Sequence, residues 1–184
     1  VAGARSNNNT DIAGVDWNAR LIAVKIAGSN GGTGSAEFAE GLQWLVDTNP
    51  IGLKVVNVSY SFSNDDPNVK SAIDALVQRG ILVVASTNNG SGNTANCEAA
   101  WPAKYAGVLA VTATDINDSH RLGCTNGITH GFLMSAPGFN VLTEFGNGGT
   151  IYASGTSFAA PIVAGAAGLF FPCATNPNPL WDVK

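Results

Sequence analysis

The sequence predicts an α/β fold: three layers, a mostly parallel sheet with helices on both faces, in a single domain spanning residues 1–184. Short apolar runs alternate with segments whose apolar residues recur at helical spacing. The run Ile81-Leu82-Val83-Val84-Ala85 is apolar throughout, as a strand covered on both faces must be. Composition agrees. Apolar residues make up 45% of the chain and charged residues 12%, which suits a packed globular domain rather than a disordered one.

The elements follow in order. Arg20-Leu21-Ile22-Ala23-Val24-Lys25-Ile26 is a short apolar run expected to form a buried strand, and a glycine-rich loop from Gly28 to Gly34 follows it. Ala36 to Val46 places Phe38, Ala39, Leu42, Leu45 and Val46 on one helical face. Lys54 to Ser59 is the next strand. Pro67 to Arg79 is a helix with Val69, Ala72, Ile73, Leu76 and Val77 on one face, stopped by Gly80. After the strand at 81–85 comes a polar Asn/Ser/Gly loop to about Asn96. Strands are then expected at Gly107 to Thr112 and at Phe132 to Ala136, and Ile151 to Ala153 leads into a turn. In such sheets ligands sit beyond the carboxyl ends of the strands, so the loops after Ile26, Ser59 and Ala85 are where function belongs.

Charge narrows the partners. Net charge is −4, the pI is about 4.9 and no Lys/Arg cluster occurs, which argues against nucleic acid or an acidic membrane surface. The apolar stretch from Phe158 to Ala174 is interrupted by Pro161 and Pro172 and is shorter than the roughly 20 residues of a bilayer span, so a buried helix is expected. Cys97, Cys124 and Cys173 show no metal-type spacing, and an odd count leaves at least one thiol unpaired. Either Cys97 and Cys124 bridge or all three stay free.

One stretch names a chemistry: Ser154-Gly155-Thr156-Ser157-Phe158-Ala159-Ala160-Pro161-Ile162-Val163-Ala164-Gly165. It places a serine after a glycine turn at the start of an apolar helix, where unpaired N–H groups and the positive end of the helix dipole favour a developing anion. Pro161 is expected inside the first turn of that helix, the place where its missing N–H costs nothing. The segment closely resembles the nucleophile motif of the subtilisin-like serine peptidases. The resemblance extends through Trp101-Pro102-Ala103-Lys104-Tyr105, through Val108 to Asp115, and through the Ser135-Ala136-Pro137-Gly138 turn. It is looser over Asn176 to Leu180.

That resemblance implies a subtilisin-like fold and an endopeptidase in which Ser157 forms an acyl-enzyme with a peptide or protein substrate. It further implies a secreted, extracellular monomer that requires no cofactor for its chemistry. Asn89 would supply the oxyanion donor. Counting from Gly80 selects Asn89, counting back from Gly90 selects Asn88, and a buried strand does not readily absorb a one-residue shift. An ordinary Asn-rich turn is the plain alternative. Ser59, Tyr60 and Ser61 correspond to the strand that pairs with extended substrate, although Ser61 and Phe62 stand where the family has two glycines. Gly32, Thr33 and Gly34 correspond to the opposite peptide edge. Their loop fails the G-x-G-x-x-G spacing of a nucleotide site and lacks a Walker lysine.

The resemblance also implies absences. Val1-Ala2-Gly3 matches the residues that directly follow the family's His-Gly-Thr-His segment, so the sequence is expected to be an N-terminally truncated catalytic domain lacking the catalytic His and Asp. Such a fragment is expected to be inactive, and a non-catalytic peptide-binding remnant is the alternative. His120 and His130 sit in polar loop contexts outside any family motif. Asn7-Asn8-Asn9-Thr10-Asp11 falls where many subtilases bind a structural calcium, but the loop is short for six to eight oxygen ligands, and a solvated loop is the plain reading.

Overall fold

The computed structural model describes residues 1–9, 12–29, 31–90, 97–145 and 148–171. The elements run α1 (Ser35–Thr48), β1 (Val55–Val58), α2 (Pro67–Gln78), β2 (Leu82–Ser86), β3 (Val108–Thr114), β4 (His120–Leu122), β5 (Leu133–Pro137), β6 (Val141–Phe145), β7 (Gly149–Ala153) and α3 (Thr156–Phe170).

β1, β2, β3 and β5 form a parallel sheet, with Val58 beside Ala85, Ala85 beside Ala110 and Ala110 beside Leu133. β4 adds antiparallel to β3, and β6 and β7 make a separate hairpin. Alternating side chains divide the core as a pleated sheet requires. Val56, Val58, Val83, Ala85, Val108 and Ala110 pack with α1 and α2 on one face. Leu82, Val84, Val111, Ala113 and Ala136 pack with Ala159, Ala160, Val163 and Ala164 of α3 on the other. The three-layer α/β architecture follows directly from that division.

Local signals set the helix ends. Asp66 caps α2 by accepting from Asn68 N (2.9 Å) and Val69 N (3.4 Å), with Pro67 in the first turn. Gly80, at φ 73°, ends it. At α1 the Gly34 N–H donates to Glu37 Oε2 at 2.9 Å. Cys97 and Cys124 form a disulfide, so the bridged alternative holds, while Cys173 lies outside the described residues.

Two expectations are corrected. Residues 20–26 are not a strand. A strand needs a ladder partner, and the sheet edge that faces this run among the described residues, β1, lies across a cleft of about 890 Å³. That cleft is walled by residues 19–24 and Ile26, by Asn57–Tyr60, by Phe38 and Leu42 of α1, and by Ala164 and Gly168 of α3. Leu21 and Ile22 are exposed on its rim. Pro161 is also misplaced by sequence: α3 begins at Thr156, which makes Pro161 its sixth residue, past the first turn. No helix among the described residues is long and apolar enough to cross a membrane.

Candidate active site

The turn before α3 is held by close backbone contacts. Gly155 N–H donates to Gly138 O at 2.8 Å, and Gly138 N–H to Thr114 O at 3.0 Å. Gly138 permits this approach, because a Cβ there would lie 2.5 Å from Ala113 Cβ and 2.9 Å from Gly155 O. The turn before Ser157 is thereby docked on the carboxyl ends of β3 and β5, where an open α/β sheet gathers its ligands. Ser157 is half-buried in the first turn of α3, among N–H groups that have no partner within the helix.

Asn89 comes from the end of β2. Its Oδ1 accepts from Thr156 N at 2.8 Å and from Thr156 Oγ1 at 3.0 Å. With the carboxamide oxygen fixed by two donors, Nδ2 is the group left to donate elsewhere. Asn88 behaves differently. It sits at φ 86°, a conformation that favours glycine, and its Oδ1 accepts from Asn89 N at 2.7 Å. Of the two candidate asparagines, Asn89 is the one in contact with α3. The sulfurs of Cys97 and Cys124 pack against Gly90, immediately beyond it.

The two expected peptide edges meet. Tyr60 Oη donates to Thr33 O at 2.9 Å, and Thr33 Oγ1 donates to Ile26 O at 2.8 Å, so Gly32–Gly34 and Ser59–Ser61 border one region. Asn30 in the same loop lies outside the described residues. Phe62 packs in a cluster with Phe38 and Tyr60, at centroid distances of 5.8 and 6.2 Å, and exchanges backbone hydrogen bonds with Trp101. Ser59 Oγ donates to the carbonyl oxygen of Ser157 at 2.9 Å.

Both histidines have partners of their own. His130 Nε2 contacts Ala103 O at 3.0 Å and its Nδ1 accepts from Phe132 N, while His120 on β4 pairs with Thr114 on β3. Among the described residues no group of three or more His, Cys, Asp or Glu is arranged to hold a metal ion. Thr10 and Asp11 of the Asn7–Asp11 loop lie outside those residues.

Sequence reasoning missed Thr156, Asn57 and the consequence of Pro161. The Thr is visible in the motif, but its partner lies 67 residues away, a relationship that one sequence does not display.

A sequence model of the subtilase family matches residues 1–182. Subtilisin BL of Lederbergia lenta is 37% identical over 99% of this chain and 64% of its own length. The alkaline protease of Alkalihalobacillus alcalophilus is 37% identical over 99% of this chain and 45% of its own. Among solved structures, the S41 psychrophilic protease superposes with a TM-score of 0.79 at 28% identity, covering 94% of this chain and 62% of that one. Sphericase gives 0.76 at 28% identity, covering 91% and 59%. The chain therefore spans about half to two thirds of the length of the proteins it matches.

Proposed function

Because this chain belongs to the subtilase family, we propose that it is the nucleophile-bearing part of a serine endopeptidase that cleaves peptide or protein substrates through an acyl-enzyme on Ser157. The observation that carries the proposal is the seating of Asn89 against Thr156, the residue before Ser157. In this reading Ser157 Oγ attacks the scissile carbonyl, and Asn89 Nδ2 donates to the oxygen as negative charge develops on it. The first-turn N–H groups of α3 add their dipole to the same point. Extended substrate lies between Ser59–Ser61 and Gly32–Gly34 as an added strand.

Proton removal requires a base within hydrogen-bond reach of Ser157. The family's acid–base pair is assigned to a part of the protein outside these residues, His130 being engaged by Ala103 O. The open edge of β1 supports that assignment. A segment lying in the cleft beside β1 would end next to Ser59, and hence next to Ser157. The 184-residue chain alone is accordingly expected to show little peptidase activity. The Cys97–Cys124 disulfide supports a secreted location, since such bonds persist in oxidising compartments.

The test uses the complete gene product on casein. Wild type should cleave it and S157A should not; undiminished cleavage by S157A would refute the assignment. A complete product that binds peptides without cleaving them would establish the alternative, a non-catalytic peptide-binding relative.

A further inference from the structure

We propose that the hydroxyl of Ser59 is a positioning device for the nucleophile, replacing the helix hydrogen bond that Pro161 removes from the Ser157 carbonyl. The inference rests on Ser157 being the nucleophile and goes beyond that assignment to the way its backbone is held.

In an α-helix the N–H of residue 161 would donate to the carbonyl of residue 157. Proline has no N–H, and its ring crowds the carbonyl one turn back. Because Pro161 is the sixth residue of α3, the cost falls on the peptide group of Ser157 itself. Left alone, that carbonyl would have no i+4 helix donor to hold it at the point where the position of Oγ is decided. Ser59, 98 residues earlier and just past the end of β1, supplies the missing donor at 2.9 Å.

A second contact fixes the direction of that bond. Asn57 Nδ2 donates to Ser59 Oγ at 3.2 Å. An amide N–H can only donate, so it occupies a lone pair of the hydroxyl and leaves the hydroxyl proton for the Ser157 carbonyl. Asn57, Ser59 and Ser157 thus form a one-way relay from β1 into the first turn of α3. From the other side Asn89 holds Thr156. The Ser157 carbonyl and the residue before it, Thr156, are therefore anchored from the ends of two different strands.

The arrangement makes an unusual demand on a test, and meets it. Replacing Pro161 with alanine restores an N–H that can reach the Ser157 carbonyl within the helix, so P161A should make the Ser59 hydroxyl dispensable. Steady-state kcat and KM on a peptide anilide would be measured for the complete gene product as wild type, S59A, S59T, P161A and S59A/P161A, with melting curves to establish folding. S59A should lose about three- to tenfold in kcat, the scale of one neutral hydrogen bond, with KM within about twofold. S59T should recover most of that loss. S59A/P161A should match P161A within about twofold. An S59A defect of equal size in the P161A background, an S59A defect confined to KM, or no S59A defect would each overturn the proposal. Activity surviving in S157A would instead refute the nucleophile assignment on which it rests.

Discussion

The side-chain oxygen of Asn89 accepts two hydrogen bonds from Thr156, one from its N–H at 2.8 Å and one from its Oγ1 at 3.0 Å. Thr156 is 1% exposed, so both donors come from a buried residue. The pair joins the end of β2 to the first residue of α3, and orients a carboxamide that would otherwise turn freely.

That relationship predicts a selective defect. T156V keeps the shape and the N–H bond but removes the hydroxyl donor. In the complete gene product kcat should fall by about three- to tenfold with KM little changed. Removing the carboxamide should cost far more. A loss of about 10² to 10³ in kcat, the effect of removing such a donor from a subtilisin, is expected. A T156V variant altered only in KM would detach Thr156 from transition-state stabilisation.

Gly138 should tolerate no side chain. The Cβ of G138A would meet Ala113 Cβ at 2.5 Å and Gly155 O at 2.9 Å, forcing the end of β5 away from β3 and from the turn before α3. Overpacking of this kind costs about 1–3 kcal/mol, measurable as a lower midpoint in urea. A113G should restore part of the loss by vacating the first contact. A midpoint unchanged in G138A would show that the turn is not tightly docked.

The disulfide should stabilise the loop that carries Asn89. Cys97 and Cys124 are separated by 27 residues, and their sulfurs pack against Gly90. C97A/C124A should lower stability by about 2–4 kcal/mol. Treatment of the wild type with a dithiol should reproduce that shift in its melting curve. Equal melting of oxidised and reduced protein would contradict the role.

Acid should weaken the contact between α1 and α2. A hydrogen bond from the Ser35 hydroxyl, then those from Asn68 and Val69, hold the Asp66 carboxyl below its ordinary range against an opposing effect of burial. Glu37 is lowered by backbone hydrogen bonds, its own N–H first and that of Gly34 next. Both folded-state values lie below the unfolded ones. Their stabilisation is therefore complete above the unfolded pKa of about 4 and is lost as pH falls through the lower folded values. The melting temperature of E37Q/D66N should depend less steeply on pH in that acid range than that of wild type. Identical slopes would refute the linkage.

The sheet was legible where burial was two-sided. Every residue of β2 is buried, and its apolar run marks it unmistakably. Both helices on the α1/α2 face carry their periodicity openly. β4 has three residues and β6 is mostly exposed, so neither offers a pattern distinct from a loop. Residues 20–26 have the pattern of a strand but no ladder, because an apolar run specifies burial and not a partner. Around α3, the serine motif and the Asn loop were both readable, and register over β2 selects Asn89, the asparagine that contacts Thr156. The roles of Thr156 and Ser59 depend on contacts between distant segments, and only the folded chain brings those together. Pro161 defies its usual first-turn position, and no local signal in the sequence marks that departure.

The most direct measurement is the site of attack. The complete gene product would be treated with a fluorophosphonate, digested, and the adduct located by mass spectrometry, in wild type and in N89A. A single adduct on Ser157, formed markedly more slowly in N89A, is the predicted result. An adduct on a different serine, or an unlabelled Ser157 in a protein that still cleaves casein, would contradict the account.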